Sequence, residues 1–589
     1  MAYMKKLLLL IFTIIFTLPL FAVATTSNLP FVEGGVLIPL DNELYWKMDA
    51  LFVLAGKAVP STSRPWTVAE ARTYLSLIDP QELTAQESKS NVTTLYQDLY
   101  TCLYPKNNPE NNAEDQDTLS LTLTLAPEAY AHTNDNYNRE EYWNYGYSKR
   151  SHLAIASLDN ATHGLYGHLE LSVGKGLVSQ EDAQSAMTIK EYTESLGKTW
   201  GGIGTLVAEE EGDNYTVITT QKAYTDKISS NLPLPSSSAD LNMPRRYYLD
   251  YANSFMSLGV YKAQKTWGYN KSGNFIFDSH NDYYHTATLK TYSKKFNFEY
   301  TLMQPEAYKG GSNYYLDDGQ STHRLFAAHR IELRLLDRLN VVLSENTMYK
   351  FAGFLDATLI SPANFYHNNV NNLQFNSLAH VEFEWSVAPG WLVYGSWVID
   401  QGSFPGFEDR TTEDQAMGYS LGAEYETFLL GGLARFSFEA LYTNPALYRP
   451  TVASDFIVNY NATFNGDESY FRYPFYTYLG YKYGGDTISL RLDANFRKAA
   501  LYLYGTYELR FDGTFTLYDK YTQPLLLCAP SGNFDVTFTF NLGAQYQLTL
   551  FETCPVTAFL DLTLLHSQTR GLDVQLALGA SIAYTLSTT

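Results

Sequence analysis

Between Asp41 and Tyr104, apolar residues recur every three or four positions, the period of helices that bury one face. Leu44, Met48, Leu51 and Phe52 share one stripe, with Asp41 placed to cap that helix and a break around Pro60. Thr67-Val68-Ala69-Glu70 has the capping-box spacing, in which the hydroxyl takes the N3 amide and the carboxylate reaches back. It opens a second helix that carries Ala71, Leu75 and Ile78. Thr84-Ala85-Gln86-Glu87 repeats the box, and Val92, Leu95, Leu99 and Leu103 predict a third helix running to Tyr104. Residues 106–117 are polar and read as a linker, which makes 25–117 a small helical domain.

From Thr118 onward the period drops to two. Leu119, Leu121, Leu123 and Leu125 alternate with Thr and Ser, and the same alternation recurs to the C-terminus. Leu490 and Leu492 alternate with Arg491 and Asp493; Leu503 and Tyr507 alternate with Tyr504, Thr506 and Glu508; Phe538 and Phe540 alternate with Thr537, Thr539 and Asn541. Such strands, with an apolar and a charged face and turns such as Leu430-Gly431-Gly432 and Tyr483-Gly484-Gly485, fit a transmembrane antiparallel β-barrel. Residues 118–589 would supply about 18 strands at roughly 50 residues per hairpin, within the even-numbered range of such barrels. The fold class expected is therefore mainly β: a large barrel preceded by a periplasmic helical domain.

The first 24 residues read as a cleaved secretory signal: Lys5 and Lys6, an apolar run from Leu7 to about Leu20, then Ala22-Val23-Ala24. No later apolar stretch reaches the roughly 18 residues of a membrane helix, so the barrel is the remaining way to cross a bilayer and the outer membrane the expected location. Partners then include outer-membrane lipid and the barrel-assembly machinery. That machinery commonly reads a terminal aromatic residue, where this chain has Leu586.

Composition narrows the function. Tyr 48, Phe 33 and Trp 8 in 589 residues exclude an unstructured chain. A net charge of −21, or −23 without Lys5 and Lys6, argues against nucleic acid as a partner, because phosphate affinity needs clustered cations. Cys102, Cys528 and Cys554 offer no metal-ligand spacing and at most one bridge.

Several segments, in order, resemble the Wzi-like capsule-assembly outer-membrane proteins. They are Ile38-Pro39-Leu40-Asp41 with Leu44; Arg64-Pro65-Trp66-Thr67 with Glu70 and Ala71; and Lys265-Thr266-Trp267-Gly268-Tyr269-Asn270-Lys271-Ser272-Gly273 before Phe275 and Asp278-Ser279. His329 to Arg334, Ser344-Glu345 and Ile360 to His367 follow. Tyr269 stands where that family more usually has proline. The resemblance implies a barrel with a periplasmic helical bundle that holds capsular or related polysaccharide on the cell, and it does not imply an enzyme.

Candidate chemistry falls in two groups. Strict alternation sends Arg330, Glu332 and Arg334, His380, Glu382 and Glu384, and Asp400 into the lumen, opposite Ile331, Leu333, Val381, Phe383 and Trp385. These charges form either a ligand path or an interlocked network that closes the barrel. His329 and Glu345 fall on the outward parity. Arg245, Arg246, Lys262, Lys265 and Lys271, interleaved with Tyr247, Tyr248, Tyr261, Trp267 and Tyr269, are the one basic concentration. Cations with aromatic faces suit an acidic glycan, and equally suit a membrane girdle. Gly418-Tyr419-Ser420-Leu421-Gly422 spells a nucleophile elbow, but its flanks read as strand. His163, His168, His280 and His285 lack metal-ligand spacing, Glu209-Glu210-Glu211 reads as a solvated loop, and no cofactor is called for. The function expected is a non-enzymatic barrel that binds, anchors or organises surface polysaccharide, with a porin-like channel as the alternative.

Overall fold

The computed structural model describes residues 34–84, 90–104, 118–137, 151–175, 186–188, 205–209, 215–219, 227–233, 239–305, 323–351, 361–362, 374–401, 416–448, 456–465, 470–515, 528–550 and 554–588. The secretory segment, the linker at 106–117, most of the second capping box, Glu210-Glu211 and His367 lie outside them.

Eighteen strands close an antiparallel barrel. They are β1 (Thr118–Leu125), β2 (Ala154–Thr162), β3 (Leu165–Lys175), β4 (Ala239–Ala252), β5 (Met256–Ala263), β6 (Tyr284–Tyr292), β7 (Phe296–Met303), β8 (His323–Leu336) and β9 (Leu339–Phe351), followed by β10 (Gln374–Ala388), β11 (Trp391–Gln401), β12 (Ala416–Leu429), β13 (Gly432–Thr443), β14 (Thr487–Lys498), β15 (Leu501–Asp512), β16 (Asp535–Leu550), β17 (Cys554–Ser567) and β18 (Gly571–Thr588). Each pairs with its sequence neighbour, and β18 returns to β1 with Thr588 opposite Leu119 and Ile582 opposite Leu125. Closure leaves no sheet edge.

The pleat sorts the side chains as the alternation predicts. Leu343, Leu421, Phe438, Leu490, Leu492 and Leu542 are exposed outward, whereas Arg330, Glu332, His380, Glu382, Glu384, Glu424 and Glu439 are buried within. His329 and Glu345 do lie on the outward parity, opposite each other in register, and the His329 ring stacks on Tyr300 at 4.9 Å.

The two mouths differ. At one, strands join through two or three residues, as at 163–164, 253–255, 337–338, 389–390, 430–431 and 499–500. At the other most connections are long, among them 264–283 and 444–486, and only 568–570 between the last two strands is short. Tyr483-Gly484-Gly485 belongs to this second kind of connection, whereas Leu430-Gly431 is a tight hairpin turn.

Helices α1 (Leu44–Leu54), α2 (Val68–Leu75) and α4 (Ser90–Leu103), with the short α3 (Pro80–Thr84), sit in the short-turn mouth. The Gly390 amide donates to the Val53 carbonyl at 2.8 Å and the Ala58 amide to Asp337 at 2.9 Å. Helix α4 buries one stripe, Val92, Leu95, Tyr96, Leu99 and Leu103. Helix α1 buries most of its circumference, Asp49 and Ala50 included, as a helix enclosed by walls must. Its core, built mainly by residues between Val36 and Leu103, runs on into barrel residues Ala161, Tyr166, Tyr261, Ala263 and Leu433, so the helices form a stopper in the mouth.

Two capping expectations are corrected. Asp41 does not cap α1; Asn42 Oδ1 accepts the Leu44 amide at 2.9 Å. Thr67 caps α2, accepting the Glu70 amide at 3.2 Å, but the Glu70 carboxylate faces Tyr74 and Lys290. A barrel-wall lysine outbids the box.

Candidate functional site

Two stretches cross the barrel interior. Residues 55–67, between α1 and α2, enter from the short-turn mouth, and residues 264–283, between β5 and β6, fold in from the other. They meet in an antiparallel ladder with Ser63 opposite Trp267 and Arg64 opposite Thr266. Irregular backbone buried this deep needs polar partners, and the wall charges provide them.

Ser61 Oγ donates to Glu332 Oε2 at 2.8 Å and Thr62 Oγ1 to Glu382 Oε2 at 2.8 Å. Arg330 donates to Glu382 Oε1 at 2.7 Å and also to Thr62. Arg334 donates to the carbonyls of Ala58, Val59 and Pro60 at 3.2, 3.1 and 3.1 Å. His380 Nδ1 lies 3.4 Å from Glu382 Oε1, and Glu384 is buried on the same face of β10. Of the two readings of the lumen charges, this arrangement is the interlocked network, and it grips the crossing segment. Asp400 is not part of it: its carboxylate accepts the Tyr448 amide at 2.9 Å, pinning the 444–486 connection.

The basic concentration is not a surface patch. It is divided among three places, and its cations face protein partners. Arg245 and Arg246 share Asp282 at 3.5 and 3.3 Å, and Arg245 also meets Glu170 at 3.3 Å. Lys262 donates to the Pro244 carbonyl at 3.0 Å and lies over the Tyr283 ring. Lys265 and Trp267 both donate to Glu299 from inside the barrel, with Trp267 fully buried. Tyr269 donates to Glu424 at 2.7 Å, and Lys271 meets the same carboxylate at 2.9 Å while lying over the Tyr269 ring. Neither a girdle nor an open acidic-glycan cradle describes them, because in a chain this acidic the buried cations go to buried carboxylates.

Burial shapes the titration of groups in the crossing segments and connections. It pushes the Lys265 amine down to about 8 against the pull of Glu299. It raises the Glu70 carboxyl despite Lys290. It presses His152 down to about 3, helped by Arg245 and Arg246 and opposed by Asp282.

Ser420 lies within β12, away from any strand-to-helix elbow. Its hydroxyl donates to Asn270 Oδ1 at 2.7 Å and pairs with Ser396 at 2.7 Å, tying the inward loop to the wall.

The wall from β13 to β17 is left uncovered. A cavity of about 520 Å³ opens there, bordered by Lys271, Arg435, Arg491, Asp493, Tyr502 and Tyr504, with Asn541 and Asp561 beyond. A second, of about 490 Å³, lies toward Glu43, Arg497, Gln545 and Gln547. Of these residues, sequence reasoning singled out Lys271 alone. The signal was present, since Tyr502 and Tyr504 are aromatic residues on the charged parity of β15.

No protein-family model and no curated protein sequence matches the chain. Among solved structures it is similar to Wzi of Escherichia coli, described as an outer-membrane protein involved in group 1 capsule assembly and a carbohydrate-binding β-barrel. That likeness covers 93% of this chain and 98% of that one, with TM-score 0.52 and 12% identity. OpdK of Pseudomonas aeruginosa, solved with vanillate, covers 80% of this chain and 99% of its own at TM-score 0.38 and 6% identity. OccAB4 of Acinetobacter baumannii covers 81% and 100% at 0.37 and 11%. Only the first superposes well enough to bear on the fold. The chain is an outer-membrane-type β-barrel. At 12% identity the likeness supports the fold that the sequence resemblance implies, and does not extend to membership of the family.

Proposed function

We propose that this protein is a plugged outer-membrane barrel that binds, anchors or organises surface polysaccharide and is not an enzyme. The observation that carries the reading is the double crossing of the lumen by 55–67 and 264–283, tied to the wall through Glu299, Glu332, Glu382 and Glu439. A barrel stoppered in this way is suited to presenting a surface more than to passing solute. With the short turns taken as periplasmic, as in other such barrels, the helices face the periplasm and the long connections face outward, where a glycan is met. The carbohydrate binding named for the Escherichia coli protein of the same fold agrees with this role. The apolar outward face then lies against outer-membrane lipid.

The test is the ratio of cell-attached to shed polysaccharide in a deletion strain and its complemented control. The reading expects shedding on deletion and recovery on complementation, and unchanged retention with an intact envelope would refute it. The second reading, a porin-like channel, is favoured by one observation, the two cavities along the β13–β18 side.

A further inference from the structure

We propose that the cavity on the β13–β17 wall is a binding site for a short, neutral, polyhydroxylated ligand, two or three sugar units. The inference rests on the glycan-binding reading and adds a place inside the lumen, a size and a charge.

The size comes first. At about 520 Å³ the cavity falls within the roughly 300–1,000 Å³ that enclose a small molecule, too small for a polymer to thread yet ample for a short oligosaccharide. The chemistry of the lining comes second. None of the bordering side chains is aliphatic: three cations (Lys271, Arg435, Arg491) face three anions (Asp493, Glu508, Asp561), and amides, hydroxyls and two tyrosines complete the ring. An apolar ligand would strip these groups of water without replacing its hydrogen bonds. A charged ligand would disturb cations that already have partners, as in Arg491 to Asp493 at 2.9 Å and Lys271 to Glu424 at 2.9 Å. Sugar hydroxyls both donate and accept, so they suit mixed donors and acceptors.

The third observation is preorganisation. Tyr502 donates to Asn495 at 2.8 Å and Tyr504 to Asp561 at 2.8 Å, which fixes two rings side by side at 5.4 Å with a tilt of 34°. Asn541 donates to Asp561 at 2.6 Å and to Thr563 at 2.9 Å. Rings fixed by their hydroxyls on one wall are placed to pack against sugar C–H surfaces, while Asp561 Oδ2, which accepts the Tyr504 hydroxyl, has a second lone pair for a sugar hydroxyl.

The experiment is saturation-transfer NMR on the full chain in detergent. The probes are glucose, galactose, mannose, maltose, lactose and maltotriose, set against glucuronate, galacturonate and sialic acid. Thr539→Trp from β16 and Ser437→Trp from β13 each fill the cavity from a different wall, so failure of one to fold leaves the other. Gln547→Trp, in the second cavity, is the control. The proposal expects transfer to at least one neutral sugar, with affinity reduced about tenfold or more by a filling variant and unchanged by the control. No transfer to any neutral sugar, transfer to the acidic sugars alone, or transfer that both fillings leave intact would overturn it. Sugar binding with normal polysaccharide shedding would refute the anchoring role and leave this site standing, whereas anchoring without sugar binding would do the reverse.

Discussion

Thr62 and Glu382 are 320 positions apart in the chain, yet the Thr62 hydroxyl donates to the Glu382 carboxylate at 2.8 Å in the middle of the barrel. Arg330 meets both. This three-residue junction holds the segment from the short-turn mouth against the wall, and its charges are desolvated on all sides.

Removing one partner of such a junction leaves a buried charge without compensation. Arg330→Met is expected to lower stability by about 3–5 kcal/mol, read as a shift of the urea midpoint in detergent micelles. Arg330→Met with Glu382→Leu should recover much of that loss, because the nearest carboxylate goes with the arginine and Glu332, 3.8 Å from Arg330, keeps its hydrogen bond from Ser61. A double variant no better than the single would show that the pair matters through packing alone.

Close packing across the lumen wall gives a second expectation. Gly543 faces Tyr504, and a β-carbon added there would lie 1.9 Å from the phenol ring. Gly543→Val should therefore cost about 1–3 kcal/mol through overpacking. Adding Tyr504→Ala should return most of it, checked by the temperature at which the folded band converts to the unfolded one in gel electrophoresis.

Strand parity, strand number and the inward charge ladder were legible because a two-sided barrel imposes period two on every strand. The parity of Arg330, Glu332 and Glu382 could be read from alternation alone. What they grip could not, since nothing local in Ser61-Thr62-Ser63 announces a partner hundreds of residues away. Lys265, Trp267 and Lys271 were noticed as cations among rings, a composition that a surface patch and a neutralised interior share. Only the fold separates the two, by bringing Glu299 and Glu424 opposite them. The cavity escaped notice because its residues come from several strands, each individually an ordinary polar-in strand. Two adjacent inward tyrosines on β15 were the available clue.

Acid should weaken the long-connection mouth through His152. This buried imidazole faces Arg245, Arg246 and Asp282, and its affinity for a proton falls from the usual 6.5 to about 3. The folded protein thus binds the proton less tightly than the unfolded chain. The contribution is fully present above about pH 6.5 and is lost as the pH falls from there toward 3. Between pH 7 and pH 5 the loss is about 2 kcal/mol. Urea midpoints across that range should fall for the wild type and fall less for His152→Phe, and parallel profiles would count against the assignment.

Planar-bilayer conductance tests most directly whether the chain closes its own barrel. The wild-type protein should insert and show almost no ion current, while a variant lacking residues 34–104, with the stopper and one of the two crossing segments gone, should conduct measurably more. A wild-type current comparable to that of the truncated barrel would contradict the plugged-lumen account and make a transport channel the better description.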